Sequence, residues 1–179
     1  MRRILDAVRR FRSEDKGVSA IEFALIAPVM VLIYFACIEL SFMMILDRKV
    51  TSSASSLGDL VARSATISDA EMDDVFEATR MIFQPNPISG ARMRVSSLYD
   101  DDGTTKVAWS EGRNMTPYTE DEVMVVPEGI VPENGSVIFA EVEYDYNSRL
   151  GYFFSTTKTL SDEFYLRPRR TDRVGRETS

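Results

Sequence analysis

The sequence has no histidine and a single cysteine, Cys37. Without histidine the chain lacks the commonest general base, the usual nitrogen ligand for metals and the side chain suited to switching near neutral pH. One cysteine cannot form an intramolecular disulfide, so cysteine usage does not report the redox compartment. No glycine-rich phosphate loop is present, and no serine or cysteine sits in a recognisable motif beside a base. A Ser-Lys dyad would have to draw on Lys49, Lys106 or Lys158, none of which has a local motif. Paired carboxylates of the glycosidase kind depend on a separation in space that sequence does not give.

Positive charge is scarce where the chain is longest. Residues 47–166 carry ten basic against twenty-one acidic side chains, and the net charge of the whole is −7. Such a body repels phosphate backbones, which excludes nucleic acid as a partner. The balance reverses at the start, where residues 1–17 carry six Lys or Arg against three acids. At 179 residues the chain has room for one ordinary domain and an accessory segment.

Between the two charge regimes lies the longest apolar run, residues 18–46, interrupted by Ser19, Glu22, Glu39 and Ser41. Residues 23–38 carry no charge, and with its flanks the run exceeds the ~20 helical residues needed to cross a bilayer. It predicts a transmembrane helix in which Pro28 is a tolerated kink. The run is too long for the apolar core of a secretory signal. Tyr34 and Phe35 stand where a lipoprotein signal needs small or Leu-type residues, so Cys37 reads as a small buried apolar residue. Basic residues ahead of the run orient the N-terminus to the cytoplasm and residues 47–179 to the far side, a periplasm. Glu39 is expected at the outer interface, in contact with water.

The residues around the start of this run resemble a known family. A basic leader ending in glycine, followed by Val18-Ser19-Ala20-Ile21-Glu22-Phe23-Ala24-Leu25-Ile26-Ala27-Pro28, looks like the class III signal of type IV pilin-like proteins. More narrowly it resembles the TadE/TadG pseudopilins of the tight-adherence (Flp pilus) system. Scattered features further on are similar too: Asp59-Leu60-Val61-Ala62, an acidic helical stretch at residues 72–81, Pro85 with Pro87, Trp109 in "VAWS", and "YLRPR" at residues 165–169. The resemblance implies that a prepilin peptidase cuts on the cytoplasmic side behind Gly17, leaving Val18 as the new first residue and Glu22 as the fifth. It further implies that Glu22 meets the amine of a neighbouring subunit during assembly, with the helix from Phe23 onward as the packing surface. An unpaired carboxylate in lipid costs several kcal/mol, so Glu22 needs a cation or an interfacial position. The second course would put it among the headgroups, favoured by the helix N-terminal dipole.

The implied partners are the prepilin peptidase, other Tad pseudopilins and pilins, the inner-membrane Tad assembly proteins and the lipid bilayer. No cofactor, metal or catalytic residue is implied, and the expected role is non-enzymatic, in pilus assembly at the bacterial inner membrane. Two other readings stand beside it: an uncut single-pass anchor presenting a periplasmic interaction domain, and a membrane-tethered hydrolase using carboxylates.

In the outer half, residues 47–67 continue the helix as a stalk, with a break expected at Gly58, where glycine weakens a helix by ~1 kcal/mol. Ser68 and Glu71 form a capping box opening a second helix to about Phe83, its apolar side chains at helical spacing and Pro85 and Pro87 beyond it. Alternation then predicts strands: Met93, Val95 and Ser97 against Arg92, Arg94 and Ser96; then residues 107–109. Asp102-Gly103 marks a hairpin turn between them. Asp100, Asp101 and Asp102 lack the alternating oxygen ligands of a calcium loop and read as a solvated turn. After a turn-rich stretch at residues 110–135 comes the clearest strand, with Ile138, Ala140, Val142, Tyr144 and Tyr146 on one face and Phe139, Glu141, Glu143 and Asp145 on the other. A last strand is expected at residues 157–166, and a polar tail at 167–179 is expected to fray. The fold class is α+β, a long N-terminal helix with a second helix and a small antiparallel sheet, as in pilins. The segments are leader 1–17, transmembrane helix 18–46, stalk 47–67, periplasmic domain 68–166 and basic tail 167–179.

Overall fold

The structure, a computed structural model, describes residues 15–148 and 157–177. Most of the basic leader and the last two tail residues lie outside the described residues. The chain divides into two compact units, Met1–Phe42 and Met43–Ser179. The first helix, α1 (Asp15–Ala62), passes through both, with Pro28 inside it.

In the second unit α1 buries Leu46, Val50, Ala54, Leu57 and Val61. They recur every three or four residues, which places them on one face of a 3.6-residue helix. Val50 and Leu57 are fully buried, each worth ~1.5–3 kcal/mol relative to exposure. The part of α1 read as a stalk is therefore the central core helix of this unit. The break expected at Gly58 does not occur. Gly58 instead serves close packing: a Cβ there would lie 2.4 Å from Leu166 Cδ1 and 3.3 Å from Ala140 Cβ.

The helix ends at Ala62, whose carbonyl accepts the Arg169 amide at 2.8 Å. A short strand, β1 (Thr66–Ser68), follows where the sequence suggests more helix. Ser68 then caps α2 (Asp69–Met81) through both bonds of a capping box with Glu71. Hydrogen bonds from the Ser68 backbone and side chain hold the Glu71 carboxyl below the usual carboxylate range. Beyond α2, Lys49 Nζ donates to the carbonyls of Phe83 at 3.3 Å and Gln84 at 2.6 Å. A cation at exposed end carbonyls is the expected partner, and it fixes α2 running back toward the middle of α1. Met72, Phe76, Thr79 and Phe83 are buried, and Phe83 stacks on Tyr144 with ring centroids 5.0 Å apart.

Four strands form the main sheet: β2 (Ala91–Asp101), β3 (Thr104–Arg113), β4 (Ser136–Tyr146) and β5 (Lys158–Leu166). Their order is β3-β2-β4-β5 and all neighbours are antiparallel. Asp102 and Gly103 turn the β2–β3 hairpin at φ 51° and 87°, the left-handed pair a two-residue loop demands. Ala91, Met93, Val95, Ile138, Ala140, Val142, Tyr144 and Tyr146 belong to the main core with α1 and α2. Leu98, Val107, Val137 and Phe139 form a second, smaller cluster on the opposite face. The α+β arrangement is thus as the sequence indicates: a long apolar helix, a second helix and a small antiparallel sheet.

The tail is the main departure. Residues expected to fray instead form β6 (Gly175–Glu177), parallel to β1, with Val174 fully buried. Composition alone missed it because its anchoring rests on one apolar side chain, on backbone bonds and on the ion pairs of Arg176 with Asp69 and Glu111, which are distant in sequence. Gly58→Val should wedge α1 away from Leu166 and Ala140, lowering stability by ~2–3 kcal/mol in denaturant titrations of the detergent-solubilised chain. Gly58→Ala should lose less, because ~1 kcal/mol of helix propensity returns.

Candidate processing and assembly segment

The processing and pairing residues that the resemblance marks out, Gly17, Val18, Glu22 and Phe23, lie in the first turns of α1. The Gly17–Val18 bond falls inside the helix, since α1 begins at Asp15. Val18 and Phe23 are 58% and 70% exposed, and Glu22 is exposed as well. Val18 and Glu22 are four residues apart and share a face of the helix, whereas Phe23 is turned ~100° from Glu22. The structure thus brings Val18 and Glu22 together and sets Phe23 to one side.

From Val18 on, the helix is long and apolar enough to cross a membrane. Ile21, Leu25, Val29, Leu32, Ile33 and Phe35 are among the many large apolar side chains it exposes. In water such a surface would be an association or insertion site. Ser41 satisfies its hydroxyl on the Cys37 carbonyl at 2.8 Å, the back-bond that lets serine sit in an apolar helix.

Two expectations in this region are corrected. Cys37 is exposed on the helix rather than buried. Glu39, expected in water at the interface, is fully buried. Hydropathy registers its charge but not its helical face. Spacings of four and seven residues relate it to Met43 and Leu46, the same rhythm as the buried stripe.

The second unit holds a charged arrangement that sequence reading split into separate faces without joining. Arg92 pairs with Glu143 and Asp145, and Arg94 with Glu141, each across the β2–β4 register. Bonds from Arg92, then Thr159, hold the Asp145 carboxyl below its ordinary value. Arg94 is partly desolvated, which opposes its charge, but the bonds and charge of Glu141 outweigh this and its pKa is raised. Its guanidinium also lies 3.6 Å from the centre of the Tyr118 ring and donates to the Thr116 carbonyl at 2.8 Å. Burial, and then the charge of Glu141, push the Tyr118 hydroxyl up to about 12. Through these contacts the strand ladder holds the connection at residues 114–135. That connection brings Tyr118, Met124, Val126, Ile130 and Val131 onto the smaller apolar cluster. The signal available in the sequence was the alternation of arginines on β2 with acids on β4.

Of the three acids expected in a turn, only Asp102 lies in it, while Asp100 and Asp101 are the last residues of β2. Asp100 accepts the amides of Gly103 and Asn134, each at 3.0 Å, and Asp101 pairs with Lys106. Among the described residues no group of three or more His, Cys, Asp or Glu is placed to hold a metal ion.

Residues 17–56 match the family model for TadE, described as TadE-like protein. The matched stretch covers the Gly17–Val18 bond, Glu22, the apolar helix and the beginning of the core stripe. No curated protein and no solved structure gives a significant match.

Arg94→Met should leave Glu141 half-buried without its cation. The expected loss is ~2–3 kcal/mol, less than for a fully buried pair because both side chains keep some water. Limited proteolysis should then cut within residues 114–135 sooner than in the parent chain. The Asp145 interaction contributes fully above its unfolded pKa of ~3.9 and is lost as pH falls through the lower folded value. Asp145→Asn should therefore flatten part of the acid loss of stability below pH ~4, read from denaturant midpoints across that range.

Proposed function

Taking as premise a chain whose residues 17–56 are TadE-like and whose first helix is apolar and largely uncovered over residues 18–38, we propose that it is a membrane-inserted pseudopilin taking part in Tad pilus assembly after cleavage behind Gly17. The observation that carries this reading is the TadE-like match starting at Gly17, with Glu22 one turn into an exposed apolar helix. Its chemistry is that of association, with no enzymatic step of its own.

Cleavage would convert the Val18 amide nitrogen into an ammonium at the head of an apolar helix. That charge and the Glu22 carboxylate are each costly in lipid and together offset one another. A neighbour's amine meeting Glu22 thus gives side-by-side helices a preferred axial offset, while the apolar surface from Phe23 onward supplies packing that carries no register of its own. The basic leader stays on the cytoplasmic side, where the peptidase acts, and the acidic second unit lies in the periplasm. Its partners are then the prepilin peptidase, sister pilins or pseudopilins, and the inner-membrane Tad assembly proteins.

One observation favours the uncut anchor as a second reading. The bond behind Gly17 lies within α1, two residues from its start, and a helical peptide must unwind before a protease can seat it. Glycine makes that unwinding cheap, since it holds a helix ~1 kcal/mol less well than alanine.

The two readings separate on the N-terminal sequence and intact mass of the membrane-extracted protein, made with and without its cognate peptidase. Pseudopilin processing requires a peptidase-dependent start at Val18. An unprocessed leader in the presence of active peptidase would leave the anchor reading. In a strain lacking the native copy, Glu22→Ala should still be cut yet fail to restore assembly, and normal assembly would remove the role given to Glu22.

A further inference from the structure

A pocket of about 340 Å³ lies between α1 and β5, walled by Met43, Met44 and Asp47 on the helix and by Lys158 and Ser161 on the strand, with buried Leu160 in its lining. Its shape follows from two matching stripes. On α1, Met44, Asp47 and Thr51 are three and four residues apart and share one face. On β5, Lys158, Leu160 and Asp162 alternate onto one side, and Leu160 belongs to the core that α1 completes. The stripes close where the Thr51 hydroxyl donates to the Asp162 carboxylate at 2.5 Å. They stay open one turn earlier on the helix, at Asp47 and Lys158. The start of the strand is fixed as well, since the Thr159 hydroxyl donates to Asp145 at 2.8 Å and Asp145 is held by Arg92.

The position of this pocket along α1 decides what it meets. From Val18 to Ile45 the helix exposes large apolar side chains, and at 1.5 Å per residue that stretch is ~40 Å long. A bilayer with its headgroup layers has that thickness. Residues 43–47 therefore fall, along the helix, in the headgroup layer at the far end of the span from Val18. The lining changes character there too, from the thioethers of Met43 and the exposed Met44 to the charges of Asp47 and Lys158. Among the described residues, no ion pair or hydrogen bond engages either of those charges. A simple anion would meet Asp47 and a simple cation would meet Lys158. A ligand that carries both charges answers the two together.

We propose that the pocket between α1 and β5 binds the headgroup of a zwitterionic phospholipid, one with a phosphate and a primary ammonium, drawn from the leaflet opposite Val18. Lys158 donates to the phosphate and the ammonium donates to Asp47, both as charge-assisted bonds. The acyl chains leave along Met43 and Met44 and continue down the apolar surface of α1. A choline head has no N–H to give Asp47, and a glycerol head brings a negative charge to it without a cation. Ethanolamine heads are therefore selected over both. The pocket rests on the insertion of α1 in a bilayer and needs neither cleavage behind Gly17 nor Glu22, so the mass and complementation results above can fail without touching it.

The full-length protein in phosphatidylcholine vesicles provides the test. Flotation reports insertion, and trace phosphatidylethanolamine, phosphatidylcholine or phosphatidylglycerol, each spin-labelled on an acyl chain, reports which lipid the inserted protein restricts. The ethanolamine lipid should be restricted severalfold in preference to the other two. Asp47→Asn should move the preference toward phosphatidylglycerol, because Lys158 then faces the pocket alone. Lys158→Met should level the ethanolamine and choline lipids, and Glu128→Gln, an exposed carboxylate on the β3–β4 connection, should change nothing. Equal restriction of all three lipids by the inserted parent chain would overturn the proposal and leave membrane anchoring intact, a comparison that needs no variant to fold. An ethanolamine preference that survives both Asp47→Asn and Lys158→Met would place the selection elsewhere on the chain and overturn it equally. A chain that does not float with the vesicles would remove the anchoring and the pocket's ligand together.

Discussion

Gly58 of α1 comes so near Leu166 of β5 and Ala140 of β4 that the space for a methyl group is already taken, and most of the second unit is arranged around that approach. Small residues at 53, 54 and 58 let the helix backbone settle on the sheet, while Val50, Leu57 and Val61 fill the space on either side. Once α1 lies there, its end is fixed beside the segment that follows β5, and Lys49 is fixed beside the turn after α2. The second helix is thereby held at both ends, by its own capping box and by a cation borrowed from the first. Helix α1 thus changes solvent along its length, from an uncovered apolar surface to a one-sided core stripe.

The other face of the sheet is built on different physics. Three acids alternate along β4, an arrangement that alone would repel itself. Arginines on β2 at facing register positions turn the repulsion into a ladder. Arg94 extends the ladder outward to Tyr118 and Thr116, so the long β3–β4 connection is tied down beside the apolar cluster it covers. The result is a sheet with an apolar cluster on each face, one under helices and one under irregular chain. Backbone bonds between Val107 and residues 121 and 122, and from the Met124 amide to the Thr105 carbonyl, tie the same connection to the edge of β3.

Where a residue's role follows from its nearest neighbours in sequence, the sequence was readable. The alternation from Ile138 to Tyr146, the Asp102-Gly103 turn and the Ser68–Glu71 box are all local patterns, and the structure contains each of them. Gly58 was misread because the same residue that loosens an isolated helix also permits close approach, and only the distant Leu166 and Ala140 distinguish the two. The tail was misread for a related reason: its arginines signal solvation until Asp69 and Glu111 are brought to meet Arg176. Glu39 was assigned by charge when its helical face decided its burial. Of the candidate site, the TadE-like character of residues 17–56 was legible through a family resemblance, whereas the Arg94–Glu141–Tyr118 arrangement joins three segments no local pattern connects.

Trp109 is the only tryptophan in the chain, and its indole nitrogen is bound to the backbone just ahead of β6. With excitation at wavelengths that only an indole absorbs, the emission therefore originates at one junction, where β3 meets the segment ahead of β6. Emission from an indole that gains or loses a hydrogen-bond partner changes colour and intensity locally. An optical melting curve of this protein would follow that junction through a single side chain, without any label.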